Sequence, residues 1–174
     1  MLMNVADRFG FNVQTFTHIL EGYKVADKMK AHGVNASTFS DWWAYKEEVR
    51  EAIPYNAALL LQAGVNTAIN SDDAEMARRL NQEAGKAVKY GNVPQEEAWK
   101  MVTLNPAKMM QVDKHVGSIE PGKDADLVLW TDNPLSIYAK VDKTFVDGTL
   151  YYDASTQPLK DKMVKDEKNR LVQK

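Results

Sequence analysis

With 174 residues, 44% of them hydrophobic and 26% charged, the chain can bury a real core and is composed like an ordinary globular protein of one domain or slightly more. A net charge of −2 gives no reason to propose nucleic acid or an anionic membrane as partner. No apolar run approaches the roughly 18–20 residues that span a bilayer, and with no cysteine any metal must bind through nitrogen and oxygen, from carboxylates and three histidines.

In chain order, Leu2, Val5, Ala6 and Phe9 recur at helical spacing and Gly10 ends the run. The N-terminal residues carry no basic segment followed by an apolar one, so they do not read as a signal peptide. Asn12–His18 alternates in β-rich residues and predicts a strand ending at His18. Tyr23–His32 predicts an amphipathic helix closed by Gly33. Val34–Phe39 predicts the next strand, followed by Ser40-Asp41-Trp42-Trp43, where the tryptophans are candidates to line a pocket. Tyr55–Ala63 predicts a helix with Pro54 near its first turn. Val65–Ile69 predicts a third strand, running straight into Ser71-Asp72-Asp73, and a helix from Ala74 to about Tyr90 follows. Strand and helix thus alternate three times at intervals of about 25–30 residues, the pattern of βα units on a parallel sheet.

Two further helices are expected over Gln95–Leu104 and from Asn105-Pro106 to Met110. The character then changes. A Pro-Gly turn leads to a strand at Ala125–Trp130, and Lys143–Val146 and Thr149–Tyr152 are joined by Asp147-Gly148, a strong hairpin signal. This predicts a β module of three or four strands. Leu159–Lys174 carries six Lys/Arg against three Asp/Glu with little periodicity and reads as a solvated, charged tail.

Functional groups in parallel α/β proteins collect where strands end at their carboxyl side. His18 and Asp72 both stand there, so their distance in sequence does not imply distance in space. Each has a plain reading first: a lone histidine as a hydrogen-bonded structural residue, and Asp72-Asp73 as caps on the following helix. Together they form an imidazole–carboxylate pair suited to Zn²⁺ or a similar ion, with the carboxylate also able to act as general base. His32, beside a helix-ending glycine, favours the helix dipole, and His115 has no evident role.

A specific resemblance adds to this. Asn105-Pro106-Ala107, then Gly117-Ser118-Ile119, then Gly122-Lys123-Asp124-Ala125-Asp126-Leu127-Val128 closely resemble the C-terminal signature of the metal-dependent amidohydrolase superfamily, and most of all its imidazolonepropionase-like members. Val146-Asp147-Gly148 resembles that family's closing hairpin. The resemblance implies an α/β fold: the C-terminal three βα units of a (β/α)8 TIM-barrel-like domain over residues 1–112, part of a small β-sandwich over 113–153, and a charged tail over 154–174. It implies that Asp72 is the last-strand aspartate, a metal ligand that also moves the proton, and that His18 is the sixth-strand histidine ligand. Asp73 lies beside the motif as a helix cap. The implied cofactor is a divalent metal, zinc first, and the implied substrate a small-molecule amide or cyclic amide hydrolysed at its C–N bond. The family's first-strand His-x-His pair, its fourth-strand Lys or Glu and its fifth-strand histidine have no counterpart here. The expectation is therefore a piece of a larger hydrolase, inactive by itself. The alternative is a non-catalytic α/β module that self-associates or binds a partner completing its sheet. Nothing in the sequence selects a compartment.

Overall fold

Three short parallel strands carry the first half of the chain: β1 (Thr15–Phe16), β2 (Asn35–Thr38) and β3 (Thr67–Ile69), in the order β1-β2-β3. The registers pair Thr15 with Asn35 and Ala36 with Thr67. This arrangement comes from a computed structural model, which describes residues 1–173. It divides into two compact units, Met1–Ser118 and the residues from Ile119 onward.

In the first unit the strands are joined by helices, as βα alternation requires. After α1 (Leu2–Phe9) and β1, a 3-10 turn (Gly22–Val25) leads into α2 (Ala26–His32); α3 (Asn56–Gln62) precedes β3. The expected helix over Tyr23–His32 is thus a 3-10 turn followed by a shorter α-helix. Met29 of α2, Leu60 of α3 and Ala36 of β2 are fully buried and pack with Val34 and Val65. Thr67, Ala68 and Ile69 of β3 are all buried, as they must be in a strand covered on both faces.

Beyond β3 the expected single helix is two, α4 (Ala74–Ala77) and α5 (Leu80–Gly91), because Arg79 leaves the helical region at φ −133. Neither glycine nor proline marks this break in the sequence. Gly91 lies so close to α3 that an added Cβ would sit 2.2 Å from the Cβ of Ala58. α6 (Gln95–Lys100) and α7 (Leu104–Met109) then close the outer edge of β3. Ile69 N–H donates to the Met101 carbonyl at 3.0 Å, and buried Asn105 donates from Nδ2 to the Thr67 carbonyl at 2.8 Å. These bonds stand in for a neighbouring strand.

β1 is shorter than the expected Asn12–His18. Val13 N–H is taken instead by His32 Nε2 at 3.2 Å, and His32 Nδ1 faces Asp7 Oδ1 at 2.7 Å. His32 therefore ties α1, α2 and the chain before β1 together, a structural role.

The second unit is an antiparallel sheet of β4 (Leu127–Trp130), β5 (Val141–Val146) and β6 (Thr149–Asp153), in that order, followed by α8 (Gln157–Val172). Asp147 and Gly148 take φ values of +48 and +73 at the β5–β6 turn, the left-handed pair that a two-residue hairpin demands. No residue of α8 is buried, so the charged segment, read from the sequence as solvated with a helix among its options, is a solvated helix. No described helix is long and apolar enough to cross a membrane.

Candidate active site

The carboxyl ends of β1 and β3 bring His18 and Asp72 together. His18 lies two residues past β1 and Asp72 three past β3. Their side chains meet with Nε2 at 2.6 Å from Oδ2, each about half exposed. The Nε2–H donates to the carboxylate. Both residues sit in the left-handed region, φ +56 and φ +50, and neither is glycine.

Asp73, the adjacent acid, does something else. Its Oδ1 accepts from the backbone N–H groups of Glu75 and Met76, each at 2.9 Å. It caps α4, from an extended backbone that aims its side chain along the helix axis. The cap reading thus applies to Asp73 and not to Asp72.

The middle strand supports both ends. The Ser37 carbonyl accepts from Ile19 N–H at 3.2 Å, and the Thr38 carbonyl accepts from Asn70 N–H at 2.9 Å. Ser37 Oγ donates to Asn70 Oδ1 at 2.8 Å, and Asn70 Nδ2 reaches Asp72 Oδ1 at 3.4 Å. Ser37 and Asn70 carry no signal in a single sequence, since a serine in a strand and an asparagine at its end are ordinary surface choices.

An aromatic wall stands on one side. The His18 ring lies 5.2 Å from that of Phe39, and Phe39 stacks on Trp42 at 5.0 Å and 13°. Trp42 meets Tyr45 edge-on and donates from Nε1 to Met76 Sδ at 3.0 Å. Of the two adjacent tryptophans, Trp42 belongs to this wall, whereas Trp43 packs on Tyr90.

The loop after β2 is anchored from behind by Glu83 of α5, which is 1% exposed. It accepts from Ser40 Oγ and pairs with Lys86 at 2.7 Å, while Lys86 also pairs with Asp41. Burial works against the Lys86 charge, but the hydrogen bonds it donates to Asp41 and Glu83 outweigh it and hold its pKa above the ordinary value. A charged residue on a helix gives no hint in sequence that it is buried.

As a metal site, this corner offers one imidazole nitrogen and one carboxylate oxygen, the donor chemistry of zinc and its neighbours. At 2.6 Å the two are hydrogen-bonded to each other, and a metal ion would have to take the place of the Nε2 proton between them. Among the described residues no group of three or more His, Cys, Asp or Glu side chains is placed to hold a metal.

Known proteins resemble this chain over most of its length. The amidohydrolase family model matches residues 8–151. The amidohydrolase tasK of Hapsidospora irregularis is 27% identical over 157 residues, 87% of this chain and 16% of that protein. An imidazolonepropionase of Thermoplasma volcanium is 28% identical over 157 residues, 85% of this chain and 38% of its own. The crystal structure of an amidohydrolase from Thermotoga maritima superposes with a TM-score of 0.79 at 30% identity, over 87% of this chain and 40% of that one. An adenosine deaminase from Xanthomonas campestris, solved with bound zinc, shares the fold with a TM-score of 0.58 at 20% identity. The α/β fold, with one parallel and one antiparallel sheet, matches that of these TIM-barrel-type proteins. This chain spans less than half the length of each.

Proposed function

The chain belongs to the amidohydrolase family, and we propose that His18 and Asp72 are two ligands of the metal centre of a hydrolase that cleaves C–N bonds in small-molecule amides or cyclic amides. The family is generally metal-dependent, and zinc is the ion that this reading assigns. The observation that carries it is the 2.6 Å approach of His18 Nε2 to Asp72 Oδ2 from strand ends 54 positions apart in sequence. His18 and Asp72 would hold a zinc ion, whose chemistry there would be Lewis acidity toward an amide carbonyl and toward water. The chain's own contribution is the proton. Asp72, half exposed and reachable by water, accepts the proton of the attacking water and returns it to the departing nitrogen. His18 holds the other side of the centre, and the Phe39–Trp42 wall keeps its ring from turning away.

On this reading residues 1–112 are the last three βα units of a (β/α)8 barrel, 113–153 are part of its small β-sandwich and 154–174 are a charged extension. Catalytic zinc usually has three protein ligands and an open position, and two donors fall short of that. The chain by itself therefore does not turn over amides, and its parent does.

Calorimetric titration of zinc into this chain, His18→Ala and Asp72→Ala tests the assignment. Weak binding that each substitution reduces at least tenfold is the expected result, with no amide hydrolysis by any of the three. Equal binding by all three, or metal-dependent hydrolysis that survives Asp72→Ala, overturns it.

A second reading, a non-catalytic module that self-associates or takes up a complementing partner, is favoured by one observation. Among the described residues β1 pairs with β2 alone, and Leu2, Val5 and Phe9 of α1 are exposed; open strand edges and apolar faces of this kind invite pairing. Light scattering that returns a monomer at all concentrations, with sharp cooperative unfolding, counts against its self-association arm.

A further inference from the structure

We propose that Ser37 and Asn70 are positioning residues that set the geometry of the His18–Asp72 pair, an inference that rests on reading this pair as metal ligands. A carboxylate held by one oxygen swings freely, because its last torsion has a broad, shallow profile. Asp72 is held by both: Oδ2 by His18 at 2.6 Å and Oδ1 by Asn70 Nδ2 at 3.4 Å. Which end of the Asn70 amide faces Asp72 is decided by Ser37. Its hydroxyl donates to Oδ1 at 2.8 Å, so the NH₂ group is turned toward the carboxylate. Because Asn70 Oδ1 is occupied in this way, Asn70 is placed to orient Asp72 rather than to ligate.

Ser37 also reaches the other ligand. Its backbone carbonyl accepts from Ile19 N–H at 3.2 Å, immediately after His18, while its hydroxyl acts through Asn70 on Asp72. One buried residue of the central strand thus ties down both ligand-bearing ends. Both ends sit in the left-handed region, where a non-glycine backbone needs surrounding bonds to hold it. Partners that orient metal-ligating carboxylates and imidazoles typically contribute 10- to 100-fold to metal affinity.

The test is zinc calorimetry on the full chain with Ser37→Ala, Ser37→Thr, Asn70→Ser, Asn70→Asp and the double variant Ser37→Ala/Asn70→Ser, with His18→Ala and Asp72→Ala setting the scale. Circular dichroism melts and NMR of the metal-free His18 Nε2 and Asp72 Cγ resonances accompany each. Ser37→Ala and Asn70→Ser are expected to weaken zinc binding about tenfold with little change in melting. Ser37→Thr, which keeps the hydroxyl, stays near the parent. Asn70→Asp, which keeps the acceptor for Ser37 but replaces the NH₂ donor by a charge that repels Asp72, shifts the metal-free Asp72 Cγ resonance most. The double variant is no weaker than Asn70→Ser, because the two residues act in series. Additive losses, or losses that merely track melting temperature, overturn the proposal. If His18→Ala and Asp72→Ala bind zinc as the parent does, or the parent binds none, the metal-ligand reading fails separately. The NMR then decides positioning alone: His18 and Asp72 resonances that shift in Ser37→Ala and Asn70→Ser support it, and unchanged resonances refute it.

Discussion

Asp72 and Asp73 are neighbours of identical chemistry with opposite assignments, and substitution separates them. Asp73 makes two 2.9 Å bonds to the first turn of α4. Losing such a cap costs about 1 kcal/mol, and asparagine caps as well as aspartate. Asp73→Ala should therefore lower stability by about 1 kcal/mol, a fall of roughly 3–5 °C in melting temperature for a unit of this size. Asp73→Asn should restore it, and neither should change zinc affinity. Asp72 forms a half-exposed pair with His18, a contact worth about 0–1 kcal/mol. Its left-handed backbone suits asparagine as well as aspartate. Asp72→Asn should shift stability by no more than about 0.5 kcal/mol while abolishing zinc binding. Urea unfolding followed by tryptophan fluorescence reads the relevant unit, since Trp42, Trp43 and Trp99 lie before Ile119 and Trp130 alone lies after it. A larger stability loss from Asp72→Asn than from Asp73→Ala, or a tenfold zinc loss from Asp73→Ala, refutes the division of roles.

The buried cluster behind the site gives two more expectations. Glu83→Ala strands the Ser40 hydroxyl and leaves Lys86 with Asp41 alone. Breaking a buried pair costs about 3–5 kcal/mol, and the surviving Asp41 contact argues for the lower end, about 3 kcal/mol by chemical denaturation; a change under about 1 kcal/mol would show that Glu83 is effectively solvated. The raised pKa of Lys86 has a definite sign in pH. Its contribution is fully present below the ordinary value of 10.5 and disappears as pH climbs through the higher folded value. The stability gap between the parent and Lys86→Met should be constant up to about pH 10 and close above it, and a gap that widens with pH contradicts the assignment.

How far the sequence carries depends on what each feature needs. Alternation and helical spacing place all three parallel strands and the β5–β6 hairpin, because those patterns follow from burial on one face or two. They do not give the length of β1, since an alternating segment becomes a strand only as far as a neighbour accepts its bonds, and His32 takes the Val13 N–H. Nor do they give the α4–α5 break at Arg79, which no local breaker announces. The site divides in the same way. The approach of His18 to Asp72 is legible because strand ends converge in parallel folds. Ser37, Asn70 and Glu83 are not, because a polar residue's partners across a fold leave no trace in local spacing.

The backbone at His18 and Asp72 carries a cost that their hydrogen bond does not offset. Both residues adopt positive φ, where an L-residue costs roughly 1–2 kcal/mol and glycine costs almost nothing. Gly10 and Gly33 take the same region without that cost, ending α1 and α2 at φ +72 and +80, whereas Trp42, Ala44, Asn92, Gln111 and Asp147 bear it as His18 and Asp72 do. A histidine at one strand end therefore costs stability that glycine would save, as does an aspartate at the other, though less so because aspartate tolerates this region better than most residues. The pair they form is too exposed to repay that cost. On the proposed reading, a metal ion held between the two strand ends would offset the cost at His18 and Asp72, and zinc should then raise the melting temperature of the parent and not that of Asp72→Ala.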